Sequence, residues 1–146
     1  MDFIKKHKEW IPVIIIILIL GPSLPFKFSG HPQPTHIFNV VGEFLGLEFF
    51  KSYGAIIIGI AELTAILLLF KTSTRIYGAI ITVGTMAGAI IFHLFSPLGI
   101  DVHFVVDGEA MVDGSLFHHA IIALLCGFYI VVTRRTEIPV IGNMLP

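Results

Sequence analysis

An all-α integral membrane protein is the fold class this sequence predicts: a four-helix bundle with a short amphipathic helix in its first outer loop. Three observations lead there. Of the 146 residues, 55% are hydrophobic and only 13% charged, whereas a soluble domain carries roughly 25% charged residues. Long apolar runs recur, each near the ~20 residues a helix needs to cross the hydrocarbon core of a bilayer. The basic residues gather on one side of those runs. The whole chain, 1–146, reads as one domain. A formal net charge of −1 gives no reason to expect nucleic acid. The expected partners are the lipid bilayer and either another protein or a second copy of the chain.

The first span covers 10–28. Its strictly apolar part, Trp10 to Leu20, runs into Gly21, Pro22 and Pro25. Lys5, Lys6 and Lys8 precede it, as in a signal peptide, but no small-x-small cleavage site follows. The expectation is a retained, proline-kinked helix. The outer segment 23–52 opens on turn formers, Ser29-Gly30-His31-Pro32-Gln33-Pro34. Beyond them Ile37, Phe38, Val40, Val41, Phe44, Leu45 and Leu47 are spaced as on an amphipathic helix lying at the outer interface.

Spans two and three cover 53–70 and 76–95. The turn between them, Lys71-Thr72-Ser73-Thr74-Arg75, is short enough to make them antiparallel neighbours. Span four covers 116–133. With the N-terminus inside, Lys5, Lys6, Lys8, Lys71, Arg75, Arg134 and Arg135 all fall on the inner side, and only Lys27 and Lys51 outside. The positive-inside rule therefore predicts a multi-pass protein of the cytoplasmic (inner) membrane with both termini cytoplasmic.

Small residues mark where helices approach closely in lipid. Span three carries Gly84-Thr85-Met86-Ala87-Gly88, with Gly78 nearby; span two offers Gly54, Gly59, Ala61 and Ala65. Packing within the chain is expected, and a homodimer seam is the other reading. Cys126 is the single cysteine, so the chain has no internal disulfide and no dithiol pair. It reads as an inert packing residue.

The chemistry concentrates in a few polar residues. Glu62 stands in an apolar stretch, 53–70, that no lysine or arginine interrupts. A carboxylate at mid-membrane depth costs on the order of 3 kcal/mol or more unless it is paired or protonated. Thr82, Thr85 or a span-four backbone group is its expected partner, and a proton acceptor or relay its functional reading.

His93 falls near the outer end of span three, and His118 and His119 in the first turn of span four. Asp101, His103, Asp107, Glu109 and Asp113 lie in the loop between, where Asp107-Gly108 and Asp113-Gly114 are turn signals. The ordinary reading of these histidines is interfacial. A metal site would use His93, His118, His119 and Asp113, and a haem would need two axial imidazoles. Adjacent histidines on one helix diverge by about 100°, so at most one of His118 and His119 joins His93. A third reading is a quinone or other small polar ligand held by His118, His119 and Thr85, with Glu62 and His93 handling protons.

Three stretches also carry a family resemblance. They are Phe26-Lys27-Phe28-Ser29-Gly30-His31-Pro32 with Phe38 and Gly42, then Gly59-Ile60-Ala61-Glu62-Leu63 with Tyr77-Gly78-Ala79, then His93-Leu94-Phe95-Ser96-Pro97-Leu98-Gly99-Ile100 with Asp113-Gly114-Ser115-Leu116-Phe117. In this order and spacing the chain resembles the DoxX-like family of small four-span membrane proteins. The resemblance implies a four-helix bundle in the cytoplasmic membrane. The family's namesake is a subunit of a thiosulfate:quinone oxidoreductase, so the likeness implies a redox-associated, quinone-linked role. The loop between Ile100 and Asp113 is longer and more acidic than the family pattern, and His118-His119 lies outside it.

Three functions therefore compete. One is a membrane subunit of a quinone-linked oxidoreductase. Another is a non-catalytic assembly subunit, favoured by the lack of a cysteine pair, nucleotide loop or nucleophile constellation. The last is a small ion- or metal-binding membrane protein with an acidic outer mouth.

Overall fold

The computed structural model describes residues 7–139 and 141–144. Lys5 and Lys6 lie outside the described residues. The helices are α1 (Trp10–Leu20), α2 (Leu24–Phe28), α3 (Pro32–Leu45), α4 (Glu48–Phe70), α5 (Arg75–Phe95) and α6 (Ser115–Thr133). Between α5 and α6 the chain forms two antiparallel strands, β1 (Val102–Val106) and β2 (Glu109–Asp113).

Four stretches are long and apolar enough to cross a membrane: Trp10–Phe28, Glu48–Phe70, Arg75–Phe95 and Ser115–Thr133. The second begins five residues before the expected 53, because α4 takes up Glu48 to Ser52. The first is broken, as its prolines predict. A 3₁₀ turn at Gly21–Ser23 separates α1 from α2, with Pro22 and Pro25 placed where a helix start has no use for the missing N–H. The outward faces are greasy: Leu18 is 67% exposed, Leu67 62% and Leu125 62%. Faces like these, on four such helices, fit lipid as the surrounding solvent.

Inside, α1 packs on α4 and α6, and α5 on α4 and α6. Their shared core contains Val13, Ile16, Leu20, Ile66, Leu69, Ala79, Met86, Ala123 and Ile130. Gly78 brings α4 and α5 together. A Cβ there would stand 2.7 Å from the Ala65 carbonyl oxygen and 2.9 Å from the Leu69 nitrogen. Gly84 and Gly88 correct the packing expectation, since a Cβ at either would meet no atom within 4 Å. Gly54, Gly59 and Gly78 are all close approaches, to Phe38, Phe28 and the α4 backbone respectively; the pair that carried the motif is not.

Two local readings also change. Pro32 and Pro34 are not turn residues but occupy the first turn of α3, where His31 caps the helix by accepting from the Gln33 N–H at 3.2 Å. The loop read as an acidic turn is a hairpin, so the fold is mostly but not wholly helical. Asp107 (φ 52°) and Gly108 (φ 86°) form its turn, the left-handed pair that a two-residue hairpin loop requires. A second small core of Val41, Leu98 and Val102 fastens α3 and β1 together.

The end of the molecule opposite the hairpin is held by ions. The Glu9 carboxylate accepts from Arg75 Nη1 at 3.2 Å and from Arg134 Nε at 2.9 Å, and Arg134 Nη1 donates to the Thr72 carbonyl at 2.9 Å. The Arg75 guanidinium also lies 4.5 Å from the Trp10 ring centroid, a cation–π distance. The start of α1, the α4–α5 turn and the end of α6 thus share one end.

Candidate functional site

The break after α1 places Ser23 and Lys27, one turn apart, against α4. Gly59 makes the approach possible, because a Cβ there would sit 3.0 Å from the Phe28 ring. Lys27 Nζ donates to Glu62 Oε2 at 2.6 Å and to Ser23 Oγ at 2.9 Å. Ser23 Oγ donates to the Leu20 carbonyl at 2.8 Å and lies 3.4 Å from Glu62 Oε2. Glu62 is 3% exposed, so this is a buried ion pair.

The expected partners of Glu62 are corrected. Thr82 Oγ1 donates to Gly78 O at 2.9 Å and Thr85 Oγ1 to Ile81 O at 2.9 Å, both within their own helix. Helical threonines prefer the carbonyl four residues back. An ammonium answers a buried carboxylate far better where the dielectric is low. By sequence alone Lys27 is only an outer-loop charge. The signal was present: an opposite charge at the end of the neighbouring span, flanked by Phe26 and Phe28, is the natural counter-ion for an acid in lipid.

His93 is buried at the hairpin end of α5. Ser96 Oγ donates to Phe92 O at 2.6 Å and accepts from the Leu98 N–H at 3.2 Å, and this turns the chain back on itself. Gly99, at φ +71°, completes the reversal in a conformation that side chains disfavour. Its carbonyl then lies 2.6 Å from His93 Nδ1. A carbonyl only accepts, so Nδ1 carries the proton, and in the neutral ring Nε2 is left as an acceptor.

A cavity of about 140 Å³ joins these groups; Lys27, Glu62, Thr85, His93 and His119 all line it, among apolar side chains such as Phe38, Met86 and Ala120. A cavity of about 150 Å³ accommodates a benzene-sized ring. Two atoms on side chains more than nine-tenths buried, Glu62 Oε1 and His93 Nε2, have no hydrogen-bond partner among the described residues. The Lys27 ammonium has three protons, and two are used. The site therefore offers a carboxylate oxygen, an imidazole nitrogen and an ammonium proton to a ring-sized guest.

His118 does not join the cavity. Its Nδ1 lies 2.9 Å from Gly114 O, back along its own helix, while His119 reaches the cavity from the next position. Asp113 Oδ1 accepts from the Ser115 N–H at 2.8 Å and from Ser115 Oγ at 2.6 Å, and Oδ2 accepts from Gln33 Nε2 at 2.7 Å. Burial alone would raise the Asp113 pKa, but the bonds from Ser115 and Gln33 outweigh it and hold the carboxyl below its usual value. The metal expectation for His93, His118, His119 and Asp113 is accordingly corrected. Among the described residues no three His, Cys, Asp or Glu side chains are placed to hold one ion. The candidate donors are turned toward different backbone and side-chain partners.

No known protein family matches this chain, and no curated protein or solved structure does.

Proposed function

We propose that this chain is a redox-associated subunit of the cytoplasmic membrane, a DoxX-like four-helix bundle that binds the head of a quinone. The observation that carries the reading is the ring-sized cavity with Glu62 Oε1, His93 Nε2 and the spare Lys27 proton facing it. Reduction of a quinone adds two electrons to the ring and one proton to each carbonyl oxygen. On this reading a redox partner protein supplies the electrons. Lys27 donates a hydrogen bond to one carbonyl, and Glu62 and His93 pass protons to and from the oxygens. A carboxylate and an imidazole are suited to that exchange because each holds or releases a proton by a small change of surroundings.

The test is binding of a short-chain benzoquinone and of its reduced quinol by the purified protein in detergent. Glu62 Oε1 and His93 Nε2 accept hydrogen bonds, so Glu62→Gln and His93→Ala are each expected to weaken binding of the reduced quinol, whose hydroxyls donate to them, or quinone-linked turnover with a partner, at least ~10-fold. Unchanged binding in both variants would remove these roles. A second reading, a non-catalytic assembly subunit, draws support from the hairpin. Val105 and Val112 on it are 58% and 59% exposed, a surface suited to a protein partner. That reading expects both variants to keep full function in the assembled complex.

A further inference from the structure

The glycines of α5 divide the α4–α5 contact in two. At Gly78 the helices touch backbone to backbone. One and a half to three turns further out, Gly84 and Gly88 face open space, and Gly84 is exposed. The two helices are zipped at the end bearing the Glu9 cluster and parted toward the end bearing the hairpin. In the parted half lies a second cavity of about 240 Å³, lined by Phe38, Val41, Phe50, Gly84, Gly88 and Phe92. Phe38, Ile58, Thr85 and Ala89 line this cavity and the polar one alike. The two are adjoining parts of one recess, polar within and apolar toward the helix surface.

We infer that the gap between α4 and α5 at Gly84 and Gly88 is the route by which a ligand enters sideways from the bilayer, and the seat of its apolar tail. The occupant is an amphiphile whose head is one ring in size, bearing hydrogen-bonding oxygens, and whose tail is a hydrocarbon chain. Three observations point to it. The slot has no charged lining residue and reaches the lipid-facing surface. It shares walls with the cavity that holds the unpartnered Glu62 and His93 atoms. Its floor is bare backbone at two glycines, so a flat or slender chain passes where any side chain would stand in the way. The head chemistry rests on the quinone reading above; the tail route rests on the slot.

The experiment uses the full chain in detergent and two probes, a benzoquinone without a tail and one with a ten-carbon tail. Gly84→Leu and Gly88→Leu add side chains whose Cβ meets no atom within 4 Å, and thermal unfolding is expected to stay near that of the natural chain. The expected result is that each loses at least tenfold in affinity for the tailed probe while binding the tail-less one within about threefold of the natural chain. Gly88→Ala, which narrows the same wall by one methyl, should give a smaller loss. Equal binding of the tailed probe by the natural chain and both leucine variants overturns the route. So does conversion of a dimer to a monomer by either variant, because the slot is then a seam between copies. If the natural chain binds neither probe, the quinone reading fails and takes this inference with it. If it binds both probes equally, with no effect of the leucines, the route and the tail seat fail while the quinone reading stands.

Discussion

The two ends of this molecule solve the problem of polar groups among apolar helices in opposite ways. At the end where α1 begins, Glu9 draws two arginines onto one carboxylate, and Gly78 closes α4 on α5. At the hairpin end, Lys27 and Glu62 form a pair beside an open recess, and Gly84 and Gly88 face a gap between the same two helices. Both ends use a buried ion pair and a small residue. The first spends nearly all its hydrogen-bonding capacity on itself; among the described residues at that end, Arg75 Nη2 alone is a fully enclosed side-chain atom without a partner. The second keeps a carboxylate oxygen, an imidazole nitrogen and an ammonium proton facing a cavity. Rigidity at one end and unspent chemistry at the other are what distinguish a scaffold from a site.

The largest break in that contrast should come from Glu9→Ala. Arg75 is 1% exposed, and removing its counter-ion leaves a buried charge, a loss of about 3–5 kcal/mol. Thermal unfolding in detergent measures it, and a double variant with Arg75→Met should recover part of the loss. Next comes the glycine comparison. Gly78→Leu forces a side chain into the Ala65 and Leu69 backbone and should cost about 1–3 kcal/mol or more. Gly88→Leu should leave stability within about 0.5 kcal/mol, and similar losses at both positions would erase the distinction between the ends.

The smallest effect belongs to Asp113. Its folded-state pKa is depressed, so the stabilisation it provides is present above the unfolded value and is lost as pH falls through the folded one. Amide exchange in the hairpin should quicken over that acid range. Asp113→Asn should remove most of the pH effect at a loss below ~1 kcal/mol.

The long-range order of the chain was largely legible in its residues. Hydropathy located four spans within five residues, and the short 71–75 turn made α4 and α5 neighbours. The exceptional character of Glu62 was visible as a lone acid among aliphatics. What stayed hidden depended on geometry across loops. Lys27 is 35 positions from Glu62, and only the break at Gly21–Ser23 turns it inward. A small-xxx-small pattern says that helices are free to approach, not that they do, so Gly78 and Gly84 looked alike. The acids of 101–113 mask the hairpin in the sequence. Its true signal was Asp107-Gly108 between apolar runs. Pro32 and Pro34 misled for the reverse reason, since a proline that ends one helix is equally at home in the first turn of the next.

The bond from His93 to Gly99 has one more implication. The carbonyl that orients the imidazole lies three residues before β1, on the stem of the strand pair. The hold on the imidazole is therefore only as firm as this stem: any displacement of the Gly99 carbonyl would carry the ring, and Nε2 with it.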